Sequence, residues 1–78
     1  MKVSLYTTAG CHLCEQALAL LLESDPPLEI CEVEISESES LMQTYGVRIP
    51  VIRVDGSTAE LGWPFDSESL AQFIHSQD

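Results

Sequence analysis

Hydrophobic and polar residues alternate over the first positions of the chain, and the period then changes. The stretch Lys2–Tyr6 (KVSLY) alternates as a half-buried strand does, and a polar loop follows it. From Cys11 onward, apolar residues recur three and four positions apart, which is the spacing of one helix face. That stripe consists of Cys14, Ala17, Leu18, Leu21 and Leu22. We therefore expect a strand, a tight loop and a helix that ends at residues 24–27 (SDPP), where proline cannot continue the backbone hydrogen bonds.

A second alternating stretch, Leu28–Ile35 (LEICEVEI), follows this helix. A strand, a crossover helix and a second strand of these lengths predict a βαβ unit with parallel strands. The alternation places Cys31, Val33 and Ile35 on one face and Ile30 on the other. We expect Cys31 to be a buried structural thiol, because a free cysteine packs as a small hydrophobic residue.

A short helix and a hairpin are predicted next. Ser36 and Glu39 have the spacing of a capping box, and Gly46 is placed to end the helix. The segments Val51–Val54 and Thr58–Leu61 flank an Asp-Gly pair, which is a strong hairpin signal. This part of the chain therefore adds a helix and two antiparallel strands.

The last helix is predicted near the end of the chain. Asp66 or Ser67 can cap it, and His75 falls in its final turn, where a positive charge suits the helix dipole. Its buried stripe consists of Leu70, Phe73 and Ile74. The complete order is β-α-β-α-β-β-α, an α/β fold with a four-stranded mixed sheet.

Composition and charge narrow the possible functions. The 78 residues suffice for one domain, 1–78, and 13 acidic residues against three basic ones give a net charge of −10. Such a balance argues against nucleic acid and anionic membrane surfaces as partners, because their phosphates need cations. The acidic segment 32–40 (EVEISESES) is interpreted as a solvated face, or as a surface that selects a basic partner protein. Apolar runs are too short for a signal peptide or a membrane span, so we expect a cytoplasmic protein.

The candidate chemistry lies at the start of the first helix. Cys11 and Cys14 are separated by two residues there, which leaves the first thiol exposed at the helix N-terminus. A thiolate is the reactive form of cysteine, and the unpaired N–H groups of a helix N-terminus stabilise it. The pattern favours a redox-active pair over two structural cysteines.

Two neighbours of this pair are expected to modulate it in opposite directions. A protonated His12 would stabilise an adjacent thiolate, and a neutral one could transfer a proton. Glu15 follows Cys11 by four residues on the same helix face, and its negative charge is expected to raise the pKa of that thiol. The alternative is that His12 is merely solvated and that Glu15 only complements the helix dipole.

The element order and three segments together resemble a glutaredoxin-like protein of the thioredoxin fold, in its short form. The segments are 6–14 (YTTAGCHLC), 47–56 (VRIPVIRVDG) and 61–66 (LGWPFD), and the resemblance covers essentially the whole chain. It implies that Cys11 attacks a disulfide and that Cys14 resolves the mixed disulfide. It also implies that Pro50 is a cis-proline beside the dithiol and that the backbone of Ile49 pairs with the substrate.

The chain departs from glutaredoxins where those proteins bind glutathione. The four residues directly before Cys11, at positions 7–10 (TTAG), include no lysine, and Arg48 is the one cation near Pro50. In the turn before the last helix Gly62 remains, but Trp63 and Pro64 replace small and polar residues. Trp63 could stack on a substrate, although sealing the core is the favoured interpretation. We expect no cofactor and only doubtful glutathione binding.

The leading hypothesis is a monomeric dithiol–disulfide oxidoreductase that acts on protein or mixed disulfides and receives electrons from a thiol reductant. One alternative is a carrier of zinc or an iron–sulfur cluster through Cys11, His12 and Cys14, which would need a dimer or added ligands to complete the site. Another is an adaptor that keeps the thioredoxin-like fold without catalysis. The sequence leaves both open.

Overall fold

The computed structural model describes residues 1–77, and its elements follow the predicted order. They are β1 (Lys2–Thr7), α1 (His12–Leu22), β2 (Glu29–Glu34), a 3-10 turn (Ile35–Glu37), α2 (Glu39–Tyr45), β3 (Val51–Val54), β4 (Glu60–Gly62) and α3 (Ser67–His75). The predicted boundaries shift by one or two residues at most ends. Within residues 1–77, none of the helices has the length and apolar character needed to span a bilayer.

The four strands form one mixed sheet in the order β2-β1-β3-β4. Strand β1 runs parallel to β2 and antiparallel to β3, so that Ser4 lies between Cys31 and Arg53 in neighbouring strands. Strands β3 and β4 form the hairpin, in which Arg53 lies opposite Glu60. The predicted parallel pair and hairpin are therefore both confirmed.

The hairpin loop is longer than the sequence indicated. The Ser57 N–H donates to the Val54 carbonyl at 3.1 Å, and Gly56 has the positive φ of +80° that this turn requires. The Ser57 hydroxyl then accepts the Ala59 N–H at 3.0 Å. These extra bonded residues delay the second strand, which begins at Glu60 instead of Thr58.

The main core lies between the sheet and the two longer helices, α1 and α3. Each strand contributes residues from one face, and each helix contributes most of the apolar stripe that the periodicity predicted. The buried members are Val3, Leu5, Ala17, Leu21, Ile52, Val54, Phe65, Leu70 and Ile74. This packing holds α1, and with it the cysteine pair at its start, against the central strands.

A smaller apolar cluster covers part of the opposite face of the sheet. It contains Tyr6, Ile35, Tyr45 and Val51, with α2 lying over them. The tyrosine rings stack with 4.2 Å between centroids and 12° between planes. From the sequence these tyrosines are expected to be ordinary aromatic residues, yet their stacked rings join β1 to α2.

The prediction that Cys31 is buried is wrong, since its side chain is exposed. Strand β2 is an edge strand, and the seven-residue helix α2 is too short to cover its whole face. Val33 packs against the smaller cluster, whereas Cys31, two residues earlier on the same face, lies outside it. The alternating pattern assigned Cys31 to the correct face of β2, but it could not show how much of that face α2 covers.

The predicted capping box at Ser36 and Glu39 is also wrong. Ser36 belongs to the 3-10 turn, and the Ser38 hydroxyl accepts the Leu41 N–H at 3.3 Å to cap α2. Gly46 ends this helix as predicted. A Cβ at that position would press against the Met42 carbonyl oxygen, so a side chain could enter only if the backbone shifted.

The last helix has a complete cap. Asp66 Oδ1 accepts the Ser69 N–H at 2.8 Å, and the Ser69 hydroxyl accepts the Asp66 N–H at 2.9 Å. The choice between Asp66 and Ser67 is thus decided for Asp66. His75 lies in the final turn, where the sequence placed it.

The adjacent residues Leu21 and Leu22 give a direct test of this packing. Leu21 is 1% exposed, but Leu22 is 70% exposed, so the prediction that Leu22 belongs to the buried stripe is wrong. We expect Leu21→Ala to lower the free energy of unfolding by about 2–5 kcal/mol, because it removes buried methyl groups and leaves a cavity. Leu22→Ala, the matched control, should change it by less than about 0.5 kcal/mol. Urea unfolding of the two variants measures the difference, and equal losses would contradict the assignment of the buried stripe.

Candidate functional site

The cysteine pair lies at the junction of β1 and α1. The chain leaves the sheet after Thr7 and turns through Gly10, whose φ is +79°. The Cys11 N–H donates to the Thr8 carbonyl at 3.3 Å, which closes the turn. Cys11 and Cys14 form a disulfide with 5.2 Å between their Cα atoms. The two residues between them thus bring both sulfurs to the helix N-terminus.

The two sulfurs differ in their surroundings. Cys14 is 3% exposed and packs in the interior, whereas Cys11 is only half-buried. Cys11 is the N-cap of α1, and its Sγ accepts the Cys14 N–H at 3.1 Å. A donor in this position stabilises negative charge on the outer sulfur, because the first N–H groups of a helix have no other partner.

His12 and Glu15 lie on the solvent side of this turn. His12 Nδ1 is 3.4 Å from Glu15 Oε2, and their side chains are 93% and 73% exposed. Glu15 also falls in the first turn of α1, where a carboxylate complements the helix dipole. The structure therefore places the two predicted modulators against each other.

Glu34 is a residue of this region that the sequence did not single out. Its Oε1 accepts the Ala9 N–H at 2.8 Å, and its Oε2 accepts the Ser36 N–H at 3.1 Å. The pKa of this carboxyl is lowered, first by the Ser36 N–H and then by the Thr8 side chain. One carboxylate thus ties the loop before Cys11 to the end of β2.

The register of the parallel pair could have revealed this contact. Thr7, the last residue of β1, lies opposite Glu34, the last residue of β2. Both strands end on the same side of the sheet. A glutamate side chain at the end of β2 can therefore accept a hydrogen bond from an N–H group of the loop that follows β1. The sequence predicted the parallel pair but not its register.

Pro50 lies near the same edge of the sheet. Tyr6 is opposite Val51, and continuing this antiparallel register places Pro50 across from Thr7. Pro50 is buried and is preceded by a cis peptide bond. Its carbonyl accepts the Trp63 N–H at 3.0 Å, and the Ile49 N–H donates to the Tyr45 carbonyl at 3.0 Å. These bonds join the proline segment to the hairpin and to α2.

Arg48 is already engaged within the fold. Its Nη2 lies 2.9 Å from Glu60 Oε1, and its guanidinium lies over the Tyr45 ring, 5.2 Å from the centroid. The Tyr45 hydroxyl donates to Glu60 Oε2 at 2.5 Å. Glu60 thus neutralises the cation that the sequence placed near Pro50, and this partner was not foreseen because the hairpin register was unknown.

The Glu60 carboxylate also shifts two ionisation equilibria. Its hydrogen bond raises the pKa of Tyr45 to about 12, since losing the phenol proton would leave two negative charges together. The pKa of Glu60 is lowered by the same hydrogen bond and by Arg48. We refer to the three residues in contact here, Arg48, Tyr45 and Glu60, as the charge-paired cluster.

The two residues predicted in the turn before α3 are arranged differently. Gly62 is exposed at the end of β4, opposite Val51. Trp63 is partly buried against the main core and meets the Phe65 ring edge-on, with 5.1 Å between centroids. This packing agrees with the interpretation that Trp63 seals the core.

A groove of about 190 Å³ lies beside the cysteine pair. Both cysteines line it, together with two acidic residues and Leu18. Its lining residues are Thr7, Thr8, Ala9, Gly10, Cys11, Cys14, Glu15, Leu18 and Glu32. Across residues 1–77, no group of three or more His, Cys, Asp and Glu side chains is arranged to hold a metal ion.

Comparisons with known proteins agree with this architecture. The sequence matches the model of the Glutaredoxin-like domain family over residues 2–75. None of the curated proteins matches it. A structural-genomics target protein from X. campestris is 34% identical in its X-ray structure, with a TM-score of 0.86 over 95% of this chain and 96% of that chain. Its solution structure gives 34% identity and a TM-score of 0.84 over 97% and 95% of the two chains.

A more distant similarity concerns the fold alone. Thioredoxin 1 from Thermosipho africanus is 15% identical, with a TM-score of 0.58 over 99% of this chain and 93% of that one. At this identity the match shows the arrangement of helices and strands. The thioredoxin-like fold predicted from the sequence is thus confirmed.

The Glu34 contacts predict a specific pH dependence of stability. Because the folded state lowers the pKa of Glu34 from 4.5, its contribution is present above that value and is lost as the pH falls through the folded pKa. Glu34→Gln should therefore be less stable than the wild type at neutral pH, and the difference should shrink in acid. Urea unfolding at a series of pH values measures it. Glu37→Gln, at an exposed neighbour, should show no such trend, and parallel curves for Glu34→Gln would contradict the assignment.

The charge-paired cluster predicts a late phenol titration. Below about pH 10 the protonated Tyr45 stabilises the fold, and this contribution is lost as the pH rises through about 12. Glu60→Gln should move the titration of Tyr45 down toward about pH 10, the ordinary value for tyrosine. Phenolate absorbance follows the change, and Tyr45→Phe identifies the signal. Glu29→Gln is the control and should leave the titration of Tyr45 unchanged. If Glu60→Gln also leaves it unchanged, Glu60 is not the cause of the raised pKa of Tyr45.

Proposed function

This chain belongs to the Glutaredoxin-like domain family, and from that premise we propose that it is a small dithiol–disulfide oxidoreductase. The observation that carries the proposal is the asymmetry of the cysteine pair. Cys11 is accessible and accepts an N–H at the start of a helix, whereas Cys14 is 3% exposed behind it. Stepwise exchange requires one sulfur that can meet a substrate and a second sulfur that reacts only with the first. Cys11 and Cys14 meet these two requirements, respectively.

The proposed reaction begins with the reduced pair. The Cys11 thiolate attacks one sulfur of a substrate disulfide, forms a mixed disulfide and expels the other substrate sulfur, which takes up a proton. Cys14 then gives up its proton and attacks the Cys11 sulfur, which releases the second substrate thiol and leaves the Cys11–Cys14 disulfide. Two electrons pass from the pair to the substrate, and a thiol reductant later returns them.

The outer thiolate owes its stability to the helix terminus. An exposed charge in this position gains about 0.3–1 kcal/mol from the helix dipole. The Cys14 N–H adds a direct hydrogen bond at 3.1 Å. Glu15 opposes this effect because its carboxylate is on the same turn, so the pair is proposed to be moderately reactive.

The substrate is proposed to lie along Ile49 and Pro50, across from the loop that carries Cys11. Because the Ile49 N–H donates to the Tyr45 carbonyl, a substrate backbone would pair with the Ile49 carbonyl oxygen. Arg48, Gly62 and Trp63 surround this segment as further contacts. The proposed substrates are protein disulfides and mixed disulfides, handled by a monomer in the cytoplasm without a bound cofactor.

Glutathione is proposed to be a poor ligand of this site. It carries net negative charge, and Arg48, the cation nearest Pro50, is paired with Glu60 at 2.9 Å. A new partner for Arg48 would have to replace that carboxylate. The charge balance of −10 also disfavours an anion.

Cysteine variants test the proposed roles. In a Cys31→Ser background, which removes the exposed third thiol, Cys14→Ser should accumulate a mixed disulfide on Cys11 because the resolving sulfur is missing. Cys11→Ser should lose turnover altogether. Acid quenching, alkylation and mass spectrometry after incubation with a protein disulfide identify each adduct. Cys31→Ser alone should retain the activity.

Titration in glutathione redox buffers provides the decisive comparison. A reversible Cys11–Cys14 disulfide at a biological redox poise would support the proposal and yield the reduction potential. If both thiols stay free across the series, the proposed oxidoreductase function is wrong.

A further inference from the structure

The charge around the groove beside the dithiol distinguishes between substrates. Glu15 projects from the first turn of α1 and Glu32 from β2, and both line the same groove as Cys11. Both side chains are exposed to a ligand, and His12 Nδ1 lies 3.4 Å from Glu15 Oε2 on the solvent side. Leu18 supplies the apolar part of the wall. A disulfide that approaches Cys11 through this groove comes close to both negative charges.

The three basic residues of the chain lie elsewhere. Arg48 is paired with Glu60 in the charge-paired cluster. The Arg53 Nε donates to the Ser57 carbonyl in the hairpin loop at 2.8 Å. Lys2 lies at the start of β1, the opposite end of the strand from the loop that carries Cys11. Among the described residues that line the groove, none offsets Glu15 and Glu32 with a basic side chain.

We infer that the dithiol site selects disulfides that carry positive charge beside the reacting sulfur, such as cysteines flanked by lysine or arginine in a basic protein segment. The inference rests on the proposed oxidoreductase function and adds a substrate class to it. Two carboxylates beside the attacking sulfur attract a cationic substrate and repel an anionic one during encounter. The groove therefore favours the opposite charge to that of glutathione.

Three small disulfides of similar size test this preference. Cystamine carries an ammonium group on each half, 2-hydroxyethyl disulfide is neutral, and dithiodipropionate carries a carboxylate on each half. Each is mixed with the reduced Cys31→Ser protein in a single turnover, which yields the Cys11–Cys14 disulfide and two small thiols. The rate at which each disulfide oxidises the protein is divided by the rate at which the same disulfide oxidises dithiothreitol. This normalisation removes differences in the intrinsic reactivity of the three disulfides.

A matched pair of double variants separates the groove from the overall charge. Glu15→Gln with Glu32→Gln removes the two groove carboxylates. Glu23→Gln with Glu29→Gln removes two exposed carboxylates at the far ends of the same helix and strand, so the net charge changes equally. Glu23 is about 12 Å along the helix axis from Glu15, beyond the Debye length of about 10 Å at 0.1 M salt. Circular dichroism confirms that each variant is folded.

We expect the cationic disulfide to have the highest normalised rate, the neutral one an intermediate rate and the anionic one the lowest. The ratio of cationic to anionic rates should fall about threefold to tenfold in the groove variant, since exposed charge pairs are individually weak. The ratio should hold in the control variant, and about 1 M salt should reduce it in the wild type.

Other outcomes overturn the inference in distinguishable ways. Equal losses in both variants would assign the preference to net charge instead of the groove. Equal normalised rates for the three disulfides would reject charge selection while leaving the oxidoreductase function in place. Failure of all three disulfides to oxidise the pair would overturn the proposed function itself.

Discussion

Strand β1 hydrogen-bonds to a neighbour on each side, and this double pairing determines where the cysteine pair emerges. Its parallel register with β2 places Thr7 beside Glu34, and its antiparallel register with β3 continues toward Pro50. The side chains of Val3 and Leu5 are fully buried beneath α1 and α3. A change in either register would carry the loop before Cys11 away from the groups that hold it.

The predictable part of the fold is the part that periodicity and local chemistry determine. The stripe of α1, the parallel βαβ unit and the Asp66 cap depend on residues close together in sequence, and the structure contains all three, except that Leu22 is exposed. The stretch Cys11–Cys14 likewise indicated a sulfur at a helix N-terminus. Such features need only the spacing of side chains along an element and the order of neighbouring elements.

What the sequence did not predict depends on contacts between distant segments. The exposure of Cys31 depends on how far a seven-residue helix extends over an edge strand. The Glu34 contacts depend on strand register, and the Arg48–Glu60 pair depends on where the hairpin loop ends. Arg48 shows the consequence for the site, because counting cations in the sequence cannot reveal that one is already neutralised.

The position of β2 at the edge of the sheet has a consequence for self-association. An edge strand presents unpaired backbone groups that can add a strand from another molecule. In β2 (EICEVE) glutamates occupy three of the six positions, so two copies aligned along this edge would oppose carboxylate with carboxylate. The other edge, β4, has only three residues. The acidic residues of β2 therefore disfavour the addition of a second copy of the chain at this edge.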